Sequence, residues 1–140
     1  MTTRDRLPTD RASVTRRFKI PKRPHAQSCP ACGHTWEELG ELRVYAIVGL
    51  YPDGRPGELF LHGDRAGSTV SGLLNALAVA VSVGLQHGVP LEVYSAKWRQ
   101  TRFGAGGLTG DKVFRACTSM LDLIAQWLAA RFGAAAGGKT

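Results

Sequence analysis

The sequence lacks the features of an exported, membrane-spanning or disulfide-bonded protein. No run of about 18 apolar residues occurs in the chain, and the polar N-terminus has no apolar segment of the kind a secretory signal needs. The three cysteines are an odd number, which does not suit a disulfide framework in a chain without an export signal. We therefore expect a cytoplasmic protein with no membrane partner.

Catalytic patterns are scarce as well. The eleven acidic residues are scattered and form no carboxylate pair, and the sequence has neither a Ser/His/Asp spacing nor an HExxH-like metal motif. We therefore predict a binding protein rather than an enzyme.

Positive charge, in contrast, is concentrated at the N-terminus. Residues 1–23 hold eight Arg or Lys against two Asp, so +6 of the net charge of +7 lies there. Such a segment can neutralise phosphates on nucleic acid, on a nucleotide or on an acidic partner. A solvated, solubilising tail has the same composition. We expect residues 1–17 to form a basic arm that is extended or disordered unless it docks.

Apolar periodicity predicts the body of the domain. Two β-rich runs, Leu42–Tyr51 and Glu58–His62, flank a Pro- and Gly-rich turn and indicate a hairpin. A helix is predicted to begin at Ser68 or Thr69 and to stop at Gly88. Its apolar stripe follows the i, i+3, i+4, i+7 recurrence of an amphipathic helix: Val70, Leu73, Leu74, Leu77, Ala78, Val81 and Leu85.

Beyond this helix the sequence predicts a short strand in VPLEVYSA (89–96) and a glycine-rich loop to residue 110. A second helix is predicted from Asp111 to Phe132, with a stripe of Val113, Phe114, Cys117, Met120, Leu121, Ile124, Trp127 and Leu128. Two helices on one face of a small antiparallel sheet give an α+β fold over residues 18–132, followed by a flexible tail at 133–140.

Small residues recur on the first predicted helix. Gly72, Ala76, Ala80 and Gly84 are spaced four apart, which lets a second helix or a symmetry mate approach closely. Glycine costs a helix about 1 kcal/mol relative to alanine, so packing is expected to compensate. Together with an open sheet face, this stripe predicts a homo-oligomer.

Four segments in this order, VGLYPDGRPGELF, GSTVSGLLNALA, LQHGVPLEV and TRFGAGGLT, resemble the TSCPD domain. The resemblance extends over roughly residues 7–128. That domain occurs near the C-terminus of adenosylcobalamin-dependent (class II) ribonucleotide reductases and in shorter proteins. The radical chemistry of those enzymes belongs to a barrel of several hundred residues, so a complete reductase does not fit into this length.

The chain departs from the family pattern at two places. HGDRAGST replaces the more usual lysine- and glutamate-bearing approach to Gly-Ser-Thr, and CPACGHTWEELGELR is inserted between the first two strands. Both departures lie where a ligand or partner would be selected.

The inserted loop, residues 21–41, carries a candidate metal site. Cys29 and Cys32 match a Cys-x-x-Cys knuckle whose turn, with Gly33, directs two thiolates at one Zn²⁺, and His25 or His34 would add nitrogen ligands. A redox dithiol and plain surface cysteines are the alternatives. The favoured prediction is a structural zinc.

A candidate phosphate site precedes the first helix. In GDRAGST the backbone amides, the helix dipole and the hydroxyls of Ser68 and Thr69 can hold a phosphate, with Arg65 beside them. The segment lacks the lysine of a P-loop, and a plain helix cap explains the same residues.

A third candidate combines cations with aromatic rings. Arg102 and Phe103 follow Lys97, Trp98 and Arg99, and such a set can neutralise phosphate while a base stacks on a ring. The alternative is a structural loop with Phe103 in the core and Arg102 in a salt bridge.

These candidates support two hypotheses. The first is a non-catalytic module that binds a nucleotide or another phosphate-bearing small molecule through Ser68, Thr69, Arg65, Arg102 and Phe103, with Arg16 and Arg17 from the arm. It would serve ribonucleotide reduction or sequester a nucleotide signal. The second is a zinc-stapled nucleic-acid-binding protein that uses the basic arm and loses affinity steeply with salt.

Overall fold

The computed structural model describes residues 3–21, 26–28, 30–33, 35–37, 42–63, 66–104 and 106–133. These described residues form three helices and seven strands, with a π-helical turn, Ala129–Gly133, after the last helix. In order the elements are β1 Ser13–Ile20, β2 Ala26–Ser28, β3 Thr35–Glu37, β4 Leu42–Leu50, β5 Pro56–Gly63, α1 Thr69–Gln86, α2 Leu91–Trp98, β6 Gly107–Leu108, β7 Ala116–Cys117 and α3 Met120–Leu128.

The centre of the domain is a three-stranded antiparallel sheet in the order β1-β4-β5. Phe18 lies opposite Val44, and Ala46 lies opposite Leu61 in the next pair of strands. Because side chains alternate between the faces of a strand, this register gathers one apolar set on one face. The fully or nearly fully buried members of the set are Phe18, Ile20, Val44, Ala46, Val48, Leu59 and Leu61.

Helices cover this face of the sheet. α1 packs along β5, and α3 packs against β1, where the Trp127 ring meets Phe18 edge to face at 5.5 Å between centroids. The Ser82 hydroxyl of α1 accepts a hydrogen bond from the Leu59 amide at 2.8 Å, which fixes the helix on the strand. The α+β prediction is therefore confirmed, with the other face of the sheet left open.

The prediction of a strand in VPLEVYSA is wrong. Residues Leu91–Trp98 form α2, which follows Pro90 and packs against α3. Its buried residues, Leu91, Ser95 and Trp98, are spaced i, i+4, i+7, as on one face of a helix. Burial of this face outweighs the strand preference of Val93 and Tyr94.

The second predicted helix begins nine residues later than expected. Asp111 accepts hydrogen bonds from the amides of Val113 and Phe114 and closes a turn instead of a helix, and Val113 is 73% exposed. The chain then pairs β7 with β6 before α3 begins after Ser119. The Ser119 side chain accepts from the Asp122 amide and caps α3.

The N-terminal arm docks on the domain and is shorter than predicted. Residues 13–17 belong to β1, so the arm ends at residue 12. The Arg4 side chain donates to the Gln86 side chain at 2.6 Å, and the Tyr51 hydroxyl donates to the Asp5 carbonyl at 2.5 Å. Arg11 pairs with Glu58 of β5. These contacts tie three arm residues to the sheet and to α1.

The predicted apolar stripe of α1 is only partly buried. Ala78, Val81 and Leu85 are in the core, whereas Val70 is 53% and Leu73 66% exposed. Among the described residues, α1 alone is long and apolar enough to cross a membrane by length and composition, a test that core helices of soluble proteins also pass. The predicted tail at 133–140 lies, apart from Gly133, outside the described residues.

Candidate functional site

Arg102 and Phe103 lie at the surface beside an open recess. The recess is lined by Arg102, Phe103, Gly104, Gly106, Gly107, Cys117 and Thr118. Phe103 is 55% exposed, and Arg102 makes no hydrogen bond or ion pair with another described residue. The alternative interpretation, with the ring in the core and the guanidinium in a salt bridge, is therefore wrong for this loop.

A buried carboxylate, that of Asp122 on α3, holds the loop in place. Asp122 is 3% exposed and accepts hydrogen bonds from the Gln100 amide at 2.8 Å and the Thr118 amide at 3.0 Å. Arg99 and Gln126 donate to it from their side chains at 3.1 and 3.0 Å. One side chain thus joins the segments on both sides of the recess. Sequence reasoning missed Asp122, although Ser119-x-x-Asp122 is a capping-box-like pattern.

The surroundings of Asp122 favour its ionised form. Burial alone would raise the pKa of this carboxyl, but the donors from Gln100, Thr118, Gln126 and Arg99 outweigh it and lower the pKa below the ordinary value. The carboxylate is therefore charged at neutral pH, and its negative charge is partly balanced by Arg99. Arg102, which lies further along the loop, is exposed to solvent.

Further hydrogen bonds make the loop rigid. The Thr118 hydroxyl donates to the Thr101 carbonyl at 2.8 Å, and the hydroxyls of Thr101 and Ser119 are also 2.8 Å apart. Gln100 has a φ of +63°, which is uncommon for a residue other than glycine. Strained backbone of this kind persists where surrounding contacts fix it, often at ligand sites.

The recess depends on the absence of a side chain at Gly106. A Cβ placed on this residue would lie 2.9 Å from the Thr118 carbonyl oxygen, closer than real Cβ contacts. The backbone around 106 therefore approaches the segment before α3 directly.

The helix start at Ser68 is a capped N-terminus. The Ser68 hydroxyl accepts a hydrogen bond from the Ser71 amide at 3.1 Å, while Thr69 is exposed. Arg65 lies outside the described residues. Neither Ser68 nor Thr69 lines the recess beside Arg102, so this recess does not include both predicted parts of the site.

Arg16 and Arg17 lie on opposite faces of β1. Arg16 donates to the Asp111 carboxylate at 2.6 Å, and its guanidinium lies 5.0 Å from the centroid of the Phe114 ring. Burial opposes ionisation of Asp111, but hydrogen bonds from the amides of Val113 and Phe114, and from Arg16, lower its pKa. Arg16 therefore has a structural partner, whereas Arg17 is exposed on the open face of the sheet.

The predicted zinc loop is partly described. β2 pairs with β3, with Ser28 opposite Thr35, and the described residues 30–33 lie between these two strands. Cys32 is exposed, and Gly33 has a φ of +71°. Cys29, His25 and His34 lie outside the described residues. Within the described part of the chain no group of three or more His, Cys, Asp or Glu residues gathers as for a metal, and the zinc stays a prediction.

Comparison with known proteins gives one family. The model of the TSCPD domain matches residues 23–132. A vitamin B12-dependent ribonucleotide reductase of Rhodopirellula baltica is 40% identical over 129 residues, which are 92% of this chain and 11% of that protein. The enzyme of the same name from Streptantibioticus cattleyicolor is 37% identical over the same share of this chain and 18% of its own length.

A shorter match, to the vitamin B12-dependent ribonucleotide reductase of Bradyrhizobium diazoefficiens, is 39% identical over 95 residues, or 67% of this chain and 8% of that protein. The chain thus spans less than a fifth of the length of the curated relatives it matches. No solved structure matches.

Proposed function

Since the chain belongs to the TSCPD family, we propose that it is a non-catalytic module that binds a nucleotide or a similar phosphate-bearing molecule at the Arg102–Phe103 loop. The observation that carries the proposal is the exposed pair itself. The Arg102 guanidinium, which has no hydrogen-bond or ion-pair partner among the described residues, lies beside the exposed Phe103 ring at the edge of the recess.

The chemistry of the pair suits a nucleotide. A guanidinium forms charge-assisted, often bidentate hydrogen bonds with phosphate oxygens, and an aromatic face stacks on a base. Arg102 would bind the phosphate and Phe103 the base. The contacts of Asp122 and Thr118 fix the loop before the ligand arrives, which reduces the entropy lost on binding.

The relatives suggest the setting of this activity. They are vitamin B12-dependent ribonucleotide reductases, a name that makes ribonucleotides their substrates. A module of this family would either serve ribonucleotide reduction by holding a nucleotide or sequester a nucleotide signal by binding it without turnover. Neither role requires a catalytic residue in this chain.

Calorimetry with purified protein and a panel of ribonucleotides, deoxyribonucleotides and cyclic nucleotides tests the proposal. Arg102→Ala should weaken binding at least tenfold, which corresponds to about 1.4 kcal/mol. Arg115→Ala is the matched control, because Arg115 is also exposed but does not line the recess. Equal losses in both variants, or wild-type binding by Arg102→Ala, would refute the site.

The open face of the sheet favours nucleic acid as a second candidate ligand. Arg17, Tyr45 and His62 lie in one cross-strand row, and the rings of His62 and Phe60 are parallel within 6°, with centroids 6.3 Å apart. Exposed rings beside cations form a stacking platform for single-stranded nucleic acid. Arm residues Arg4 and Arg11 have intramolecular partners, so this face, with or without the zinc loop, would provide the contacts.

Fluorescence anisotropy with labelled single-stranded oligonucleotides separates the two functions. If the open sheet face binds nucleic acid, affinity for the oligonucleotide should fall steeply as the salt concentration rises. Arg17→Ala and Tyr45→Ala should weaken binding further, while Arg102→Ala should bind as the wild type does. Weak binding that is insensitive to both sheet-face substitutions would exclude this role.

A further inference from the structure

The recess beside Arg102 has one basic side chain and no acidic one among the described residues that line it. Its other lining residues are Phe103, three glycines, Cys117 and Thr118. None of these is a Lys, Arg, Asp or Glu. The charge that a ligand meets within the recess is therefore the single guanidinium of Arg102.

Two other arginines near this loop are held by carboxylates. Arg99, three residues before Arg102, donates to Asp122 at 3.1 Å. Arg16 of β1 donates to Asp111, in the segment that joins β6 to β7, at 2.6 Å. A phosphate would have to compete with a carboxylate for either guanidinium, and each pair is neutral as a whole. Neither pair adds net positive charge to the site.

One guanidinium suits one phosphate group. The two parallel hydrogen bonds of a bidentate arginine contact go to the oxygens of a single phosphate. A phosphate monoester carries about −1.5 to −2 charges at neutral pH, and each further phosphate in a chain adds about one more. In this recess the added charges would find no second cation. They would stay in water, where the solvent dielectric and salt weaken their attraction to Arg102.

The size of the recess agrees with a ligand that has one phosphate. The recess encloses about 410 Å³, toward the lower end of the range of roughly 300–1,000 Å³ found for small-molecule sites. A base stacked on Phe103 and a phosphate on Arg102 would use its ring and its cation. No charged group of the described lining is then left for a second or third phosphate.

Given the proposed binding of a nucleotide at the Arg102–Phe103 loop, on which this inference rests, we infer that the recess recognises a single phosphate group. Its ligands are nucleoside monophosphates, linear or cyclic, which share the chemistry of one phosphate on a nucleoside. Further phosphates add no affinity. The class of nucleotide is thus determined by the number of cations that the recess offers.

Calorimetry with two matched series measures the contribution of each phosphate. Adenosine and cytidine are compared with their 5′-mono-, di- and triphosphates and their 3′,5′-cyclic monophosphates, without added Mg²⁺, so that no metal bridges the phosphates. A monophosphate should bind at least about tenfold more tightly than its nucleoside. The di- and triphosphates should bind no more tightly than the linear monophosphate, within about threefold. The tighter of the linear and cyclic monophosphates identifies the form of the ligand.

Variants separate this inference from the proposed function. Arg102→Ala should remove the gain from the first phosphate and bind a monophosphate only as tightly as the nucleoside. Lys97→Ala and Lys112→Ala are matched controls, because both lysines are exposed but neither lines the recess, and they should bind both series as the wild type does.

Two outcomes would contradict different parts of this account. If a triphosphate binds about tenfold more tightly than the monophosphate and Arg102→Ala weakens every nucleotide, the single-phosphate inference is overturned and the proposed site stands. If the wild type binds no member of either series, or if Arg102→Ala binds them all as the wild type does, the proposed function is overturned together with the inference.

Discussion

The backbone amide of Gln100 donates a hydrogen bond to the buried carboxylate of Asp122 over 2.8 Å, across 22 positions of the sequence. The other carboxylate oxygen accepts from the Thr118 amide. Through this one side chain, the start of α3 controls the geometry of the Arg102 loop. A residue that touches no ligand thus positions those proposed to bind it.

Replacing Asp122 should affect stability and binding together. Asp122→Asn keeps the shape but loses the charge and exchanges an acceptor oxygen for a donor, so amides now bonded to Asp122 lose their partner. We expect the free energy of unfolding to fall by about 1–3 kcal/mol, measured by urea denaturation. Asp10→Asn is the control, because Asp10 is exposed and its side chain has no hydrogen bond to another described residue, and it should change stability little. If Asp122→Asn unfolds at the same urea concentration as the wild type, the hydrogen bonds of Asp122 make no net contribution to stability.

The lowered pKa of Asp122 also predicts a dependence of stability on pH. A carboxyl whose pKa is lower in the folded state contributes stability above its unfolded pKa of about 3.9, and this contribution is lost as pH falls through the folded pKa. Stability of the wild type should therefore decline below about pH 4. The decline should be shallower in Asp122→Asn. If stability falls with pH in parallel for the two proteins, the lowered pKa of Asp122 is contradicted.

Gln100 offers a test of the strained backbone. Gly adopts a φ of +63° without a steric penalty, whereas a β-branched residue is strongly disfavoured there. Gln100→Gly should keep the stability of the wild type within about 1 kcal/mol, and Gln100→Val should lower it by more than that. Thermal unfolding followed by circular dichroism distinguishes them. If Gln100→Val is harmless, the loop does not hold this conformation in solution.

The pair of Arg11 and Glu58 should stabilise the docked arm. Glu58 is buried on β5, so Arg11→Ala leaves a carboxylate without its cation inside the protein. We expect a lower melting temperature for Arg11→Ala and a partial recovery when Glu58→Gln is added. A double-mutant cycle with no coupling between the two positions would argue against the docked arm.

Metal analysis tests the zinc prediction. Purified protein should contain one zinc per chain, and Cys29→Ser or Cys32→Ser should lose it, because one thiolate cannot replace a knuckle. Cys117→Ser is the control, since Cys117 is buried in the hydrophobic core. Metal-free wild-type protein that folds normally would rule out a structural zinc.

Parts of the fold that depend on local signals were predictable. The hairpin of β4 and β5 and the start of α1 at Ser68 are confirmed, because turn and capping residues determine them directly. α2 was missed because eight residues with Val93 and Tyr94 match the composition of a strand. Only the packing of Leu91, Ser95 and Trp98 on the rest of the protein reveals a helix.

The candidate site was less predictable than the fold. The sequence named Arg102 and Phe103, but their exposure depends on contacts with Asp122 and Thr118, which are distant in sequence. The positive φ of Gln100 has no sequence signal, because glutamine does not favour that conformation. On α1 an apolar period indicates a helix, but it does not say which of two apolar stripes faces the core.

The family match begins at residue 23, whereas β1 ends at Ile20 and forms one edge of the sheet. A recombinant fragment cut at the start of the match would lack this strand, and β4 would become an unprotected edge with its hydrogen-bonding groups open to other chains. Such a fragment should aggregate through strand addition. The autonomous folding unit of this protein therefore begins before the domain by which its family is recognised.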